Sequence, residues 1–219
     1  MAAEKSIVDD SLGNILFPEY ETLYDLIASE VQGLSDEELD FVSERWEWSE
    51  WSIRQQLSHM ASLIYRWLLV RWGDTLFPDG GHGVQDIQGL AQSDFDRRMD
   101  DNRYWALSVI LDQLRDGIGL ARRVLAERDV GFLRDHTYAM DMSSQWDLMI
   151  KAHTTGFTVT REPDKEIMTL EASIRHIYYE EITHLYNIQR LKRAQSLPAT
   201  VDLPRVGYWV VDGWDRSEP

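Results

Sequence analysis

Apolar residues recur at helical spacing along four long stretches of this chain. The stretches run from Ile15 to Leu34, Trp51 to Trp72, Asn102 to Arg128 and Pro163 to Ala194. Apolar positions three and four residues apart form one stripe on a helix, and such a stripe is buried against a neighbouring element. Four amphipathic helices of similar length predict an all-α protein built as a four-helix bundle.

Capping residues indicate where some of these helices begin. Ser35 followed three residues later by Glu38 is a capping box, which predicts a short acidic helix directly after the stop at Gly33. Either Ser49 or Ser52 is placed to cap the second long helix, and the sequence leaves this choice open.

Two connections are too long to be simple bundle turns. Residues 73–101 are rich in Gly and Asp, which predicts a long crossover between the second and third helices. Between the third and fourth helices, weak alternation of apolar residues from Trp146 to Thr160 about a Thr-Gly turn predicts a small β-hairpin. We therefore expect a bundle domain over residues 1–195 and an extended C-terminal tail over residues 196–219 that packs on it.

Composition and charge limit the partners that this chain can have. The 219 residues carry 38 acidic against 22 basic side chains, a formal net charge of −16. This field repels phosphate backbones, so we expect no nucleic-acid partner. The chain contains no cysteine, which removes thiolate nucleophiles and sulfur ligands and leaves histidines and carboxylates to bind any metal.

The sequence also predicts a cytoplasmic protein without a membrane partner. The N-terminal residues MAAEKS lack the basic start and apolar core of a signal peptide. The most apolar run, Ile64 to Trp72, is interrupted by Arg66 and Arg71 and is shorter than the roughly 18 residues that a membrane span requires.

Three residues have the chemistry and spacing of a metal site. Glu180 and His184 are four residues apart, so on a helix they project from one face, one turn apart. A metal such as zinc requires at least three protein ligands. His59, within the second apolar helical stretch, is the best candidate for the third.

Two segments resemble the DinB/YfiT-like superfamily. The first is GLSDEEL at 33–39 followed by WSIRQQLSH at 51–59, and the second is RHIYYEEITHLYNIQR at 175–190. The resemblance implies an up-down-down-up four-helix bundle, commonly a homodimer. It also implies a divalent metal between one histidine of the second helix and a His-x-x-x-His pair of the last. Characterised members are transferases or isomerases that use bacillithiol, mycothiol or glutathione with a small-molecule substrate.

His59 and His184 match the first and last ligands of that family pattern, whereas Glu180 stands where the family usually has histidine. A set of two histidines and one carboxylate suits zinc, nickel, manganese or ferrous iron, and it equally suits a member that has lost its metal. The leading hypothesis is therefore a divalent-metal-dependent enzyme, a thiol-dependent S-transferase or isomerase. The alternative is a non-catalytic stress-response or binding bundle with a vestigial site.

Structural interpretations compete with each of these roles. His59 and His184 are equally explained as buried histidines bonded to a neighbour, and Glu180 as a solvated carboxylate. Glu181 falls on the apolar stripe, so it either orients a ligand, acts as an acid or base, or pairs with a buried donor. Asn187 is a candidate substrate or supporting contact one turn after His184. Two further predictions are that His176 is exposed and that the nine tryptophans mostly pack, with a subset beside the metal.

Overall fold

The computed structural model describes residues 8–141, 144–161 and 164–219, which are mainly helical. Short 3-10 turns separate several of the helices. The helices are α1 (Leu23–Val31), α2 (Asp36–Leu39), α3 (Ile53–Tyr65), α4 (Gly73–Leu76), α5 (Ile87–Ala91), α6 (Leu107–Glu127), α7 (Val130–Asp135), α8 (Ser144–Met149) and α9 (Leu170–Ala194).

The capping residues act as the sequence predicts. The Ser35 N–H donates to Glu38 Oε2 at 2.7 Å, and the Glu38 N–H donates to Ser35 Oγ at 3.3 Å, which starts α2. Ser52 forms the same reciprocal pair with Gln55 and starts α3. Ser49 instead donates its hydroxyl to the carbonyl of Ser43 at 2.6 Å, so Ser52 is the cap of the second long helix.

The apolar stripes of the long helices meet in one core. Helix α3 packs against both α6 and α9, and α1 also contacts both of them. Fully buried side chains from all four helices fill the space between them, among them Ile27, Leu57, Ile64, Leu114, Ala121, Ile177 and Leu185. This packing brings the face of α3 that carries His59 against the face of α9 that carries His184.

The predicted starts of three helices are wrong. The first stretch opens with 3-10 turns and becomes α-helical only at Leu23, and the third starts at Leu107 rather than Asn102. The last helix starts at Leu170, because Thr169 caps it with a side chain that accepts from the Ala172 N–H at 3.1 Å. Residues 164–169 are a strand instead, and the predicted start at Pro163 lies outside the described residues.

A three-stranded antiparallel sheet replaces the predicted hairpin, so the chain is not all-α. Its strands are β1 (Thr137–Asp141), β2 (Phe157–Arg161) and β3 (Asp164–Thr169), in the order β1-β3-β2. The prediction of extended structure near Phe157 is confirmed, but the residues predicted to pair with it around Trp146 form α8. Single-sequence alternation gives no information on the partner strand, and here that partner is β3.

Helix α3 continues as a π-helix over Arg66–Arg71. The Trp72 N–H donates to the carbonyl of Trp67, five residues earlier, at 3.1 Å. The wider turn of a π-helix changes which side chains lie above one another, and such segments are frequent at functional sites.

The C-terminal tail, residues 196–219, is tied to α1 and α9 by a buried ion pair. Lys192 Nζ lies 2.5 Å from Glu30 Oε1 and also donates to Thr200 Oγ1 at 2.9 Å. Glu30 is fully buried and accepts from the backbone N–H groups of Thr200 and Val201 at 3.1 and 3.0 Å. This network fixes the point where the tail leaves α9.

No helix in the described ranges is long and apolar enough to cross a membrane. The N-terminal residues 1–6, on which the expectation of no signal peptide rests, lie outside the described residues.

Candidate metal centre

His59, Glu180 and His184 converge where α3 packs against α9. Each offers one ligand atom, and the three atoms lie within 4.8 Å of one another. Glu180 Oε2 is 3.2 Å from His184 Nε2, and the two imidazole ring centroids are 4.5 Å apart. The structure thus brings together the three residues that the sequence selected.

Both histidines bond the same ring nitrogen, Nδ1, to an oxygen atom outside the cluster. His59 Nδ1 lies 2.9 Å from the carbonyl oxygen of Arg97, which can only accept, so Nδ1 carries the proton. His184 Nδ1 likewise bonds to the side-chain oxygen of Gln56. Nε2 is the ring nitrogen that remains to bind a metal. Metal-binding histidines are oriented in this way, with the second ring nitrogen donating to an oxygen.

The contact between His184 and Glu180 supports this interpretation. A lone pair on Nε2 facing a carboxylate oxygen at 3.2 Å requires a proton or a cation between them. Two ligands that each lie about 2.0–2.2 Å from a tetrahedral zinc ion are about 3.3 Å apart. The donor types and this separation both fit a divalent metal.

Electrostatics keep the ligands in the states that a metal requires. Burial raises the pKa of Glu180. The contact with His184 and the charges of His176 and Arg66 together lower it by more, so the pKa of Glu180 is below its usual value. Burial, and after it the charges of His184 and Arg66, hold the pKa of His59 well below its usual value. At neutral pH the cluster therefore offers an ionised carboxylate and a neutral His59 imidazole.

A cavity of about 400 Å³ opens onto the three ligands. The Trp51 ring lies against both histidines, with ring centroids 5.0 Å from His59 and 6.3 Å from His184. Further tryptophans form the walls, namely Trp48, Trp67, Trp146 and Trp214. Aromatic walls with a few charged groups are typical of small-molecule sites, and the prediction that some tryptophans lie beside the cluster is confirmed.

Tyr208 of the C-terminal tail contacts two histidines, one of which, His176, lines the cavity. The Tyr208 hydroxyl lies 2.6 Å from His176 Nδ1 and 2.9 Å from His153 Nε2. Having one proton, it donates to one imidazole and accepts from the other. The prediction that His176 is exposed is wrong, since only 3% of it is accessible. Tyr208, together with the rings of Trp67 and Trp146, covers this side of α9.

Tyr208→Phe is expected to lower the free energy of unfolding by about 1–3 kcal/mol, because it leaves a buried imidazole nitrogen without a partner. Urea unfolding measures the change. Tyr24→Phe is the matched control, since the Tyr24 hydroxyl accepts from the half-exposed Arg115 and from no other residue in the described ranges. Equal effects of the two variants would contradict a structural role for the Tyr208 hydroxyl.

Glu181 and Asn187 occupy different environments. Glu181 is fully buried, and neither carboxyl oxygen has a hydrogen-bond partner within the described part of the chain. Burial, and after it the charge of Glu180, raises the pKa of Glu181 well above its usual value. Asn187 lines the cavity, and its Oδ1 accepts from Arg190 at 2.5 Å. Their roles in a reaction stay predictions.

Sequence reasoning missed the groups that orient the histidines. Gln56 precedes His59 by three residues, so helical spacing places both on one face of α3 and was a usable signal. The carbonyl of Arg97 belongs to the 73–101 connection, and Tyr208 to the tail. Their positions follow from tertiary packing, for which the sequence gave no local pattern.

No family model matches this chain, and no curated protein or solved structure matches it significantly.

Proposed function

We propose that this protein is a divalent-metal-dependent enzyme of the DinB type whose metal is held by His59, Glu180 and His184. The observation that carries the proposal is the bonding of the two histidines in a cluster with Glu180: each bonds Nδ1 to an oxygen, which leaves Nε2 as the nitrogen available to a metal. The donor set suits zinc, nickel, manganese or ferrous iron.

A bound metal would supply a Lewis acid at the inner end of the cavity. Residues of the chain orient and enclose the two histidines. The Arg97 carbonyl and the Gln56 amide hold the two imidazoles in one tautomer. Trp51 packs on both rings and limits access of water to them. The reaction we propose is a transfer or isomerisation that uses a low-molecular-weight thiol and a small-molecule substrate.

We further propose that α1, α3, α6 and α9 form the up-down-down-up four-helix bundle of this family, as a cytoplasmic homodimer. The contacts of α3 and of α1 with both α6 and α9 support the bundle. The two sequence segments at 33–59 and 175–190 support the family.

Removal of a residue that only supports a metal ligand typically weakens metal binding by roughly 10–100-fold. Glu180→Ala removes a proposed ligand itself, so we expect a larger loss of zinc affinity. Glu180→His is expected to retain binding, since imidazole is an equivalent donor. Competition with a chelating dye measures both affinities. Glu50→Ala, at the exposed rim of the same cavity, is the matched control. An affinity of Glu180→Ala equal to that of Glu50→Ala would remove Glu180 from the ligand set.

Turnover tests the proposed reaction. The metal-loaded chain is incubated with bacillithiol, mycothiol or glutathione and a panel of electrophiles and isomerisable substrates. Loss of free thiol reports transfer, and conversion of the substrate without loss of thiol reports isomerisation. The proposal predicts turnover with at least one thiol that is lost in chelator and in His184→Ala. Full metal occupancy without turnover for any pair would favour the alternative, a non-catalytic binding or stress-response bundle.

A further inference from the structure

Two arginines at the cavity lack a carboxylate partner. Arg66 forms no ion pair within the described ranges, and its Nε is buried without a hydrogen-bond partner. Arg71 lies over the Trp67 ring at 3.9 Å and contacts the sulfur of Met140 at 3.3 Å. Arg97, on the same cavity, is by contrast paired with Asp96 at 3.1 Å. The guanidinium groups of Arg66 and Arg71 therefore line the cavity without an ion pair among the described residues.

The π-helical segment places these two arginines together. Five residues of an α-helix turn through about 140° beyond one full turn, which would direct Arg66 and Arg71 to different sides. In a π-helix the i to i+5 hydrogen bonds bring residues five apart nearly above one another. The unusual geometry of 66–71 thus has a local consequence: both side chains line one cavity.

The charges of Arg66 and Arg71 repel each other at this position. Burial, and after it the charges of Arg71 and Arg97, lower the pKa of Arg66 to about 10, so it still carries its proton at neutral pH. Glu180 and Asp96 both attract Arg66, but Glu180 Oε2 lies against His184 and Asp96 is paired with Arg97. Arg66 is half-buried and Arg71 is exposed. An anion in the cavity would offset the cost of holding the Arg66 charge there without an ion pair.

We propose that the cavity binds a small organic oxyanion, a carboxylate or phosphate, through Arg66 and Arg71. Guanidinium groups recognise both oxyanions through paired hydrogen bonds. The apolar body of the ligand lies against Trp67 and Trp146, with its other end toward His184. This inference rests on the proposed function, because it names the substrate class of the same site.

Calorimetric titration of the metal-free full chain in chelator tests the proposal. The probes are benzoate and phenyl phosphate, with neutral benzamide as the isosteric control. We expect at least one of the two anions to bind about ten-fold or more tightly than benzamide, as expected for charge-assisted hydrogen bonds. Whichever anion binds identifies the oxyanion. Wild-type protein that binds both anions no better than benzamide would overturn the proposal.

Arg66→Gln is expected to weaken binding of that anion by about ten-fold or more and leave benzamide unchanged. Arg66→Lys keeps the charge but loses the planar guanidinium. Its affinity for the anion should lie between those of the wild type and Arg66→Gln. Arg115→Gln, half-exposed and outside this cavity, is the matched control. Circular dichroism establishes that each variant is folded. Equal anion affinity in wild type, Arg66→Gln and Arg115→Gln would also overturn the proposal.

The metal-free conditions separate this inference from the proposed function. His59→Ala should bind the anion like wild type, because His59 is not part of the oxyanion site. If zinc does not bind but the anion binds and depends on Arg66, the proposed metal-dependent function is contradicted and the oxyanion site is not. If zinc binds normally but anion binding does not depend on Arg66, the oxyanion site is contradicted and the proposed metal-dependent function is not.

Discussion

Zinc affinity is expected to fall by about 100-fold in His59→Ala. A four-ligand structural zinc site binds with roughly 10–16 kcal/mol, so each ligand contributes on the order of 3 kcal/mol. Loss of that amount corresponds to about 100-fold in affinity. The remaining ligands, Glu180 and His184, come from one turn of one helix and cannot enclose an ion by themselves.

The control for this experiment is a histidine outside the cavity. His82 lies in the 73–101 connection, where its ring nitrogen accepts from the Val84 N–H at 3.1 Å. His82→Ala should leave zinc affinity unchanged. It also controls for nonspecific zinc binding, because it likewise removes one histidine. Equal affinities of His59→Ala and His82→Ala, measured by dye competition, would exclude His59 as a ligand.

Lys192→Met is expected to destabilise the fold by about 3–5 kcal/mol, which is typical when one partner of a buried ion pair is removed. Glu30 is fully buried and would lose the ammonium that lies 2.5 Å away. The tail would lose its anchor as well, because the same ammonium bonds to Thr200. Denaturant unfolding followed by tryptophan fluorescence measures the loss.

Two comparisons establish that the loss comes from the unpaired charge. Lys165→Met breaks an ion pair with Asp141 that is largely exposed, so it should cost no more than about 1 kcal/mol. The double variant Glu30→Gln with Lys192→Met removes both charges and should recover part of the stability. A single variant Lys192→Met that is as stable as Lys165→Met would contradict this account.

Periodicity predicted that the long helices exist, although not where three of them start, and it indicated which faces carry the three candidate ligands. Helical spacing places Glu180 and His184 on one face of α9, and the apolar stripe of α3 places His59 on the face toward it. It could not predict that α9 starts at Leu170. Residues 164–169 continue the helical pattern, but backbone pairing with both β1 and β2 outweighs it. Such pairing is non-local and leaves no signature in the segment itself.

The sequence could not predict the lining of the cavity. Arg66 and Arg71 appeared only as interruptions of an apolar run, because the π-helical register that aligns them depends on packing around α3. His176 was predicted to be exposed from its position on α9 alone. The residue that covers it, Tyr208, lies 32 positions later and reaches it only because the tail folds back.

The most direct test of the metal centre is anomalous diffraction at the zinc absorption edge. The chain is purified without chelator or a histidine tag and crystallised with zinc. The account predicts one strong peak about 2.0–2.2 Å from Nε2 of His59, Nε2 of His184 and a carboxylate oxygen of Glu180. A structure with zinc bound elsewhere on the chain, and no peak between these three side chains, would contradict it.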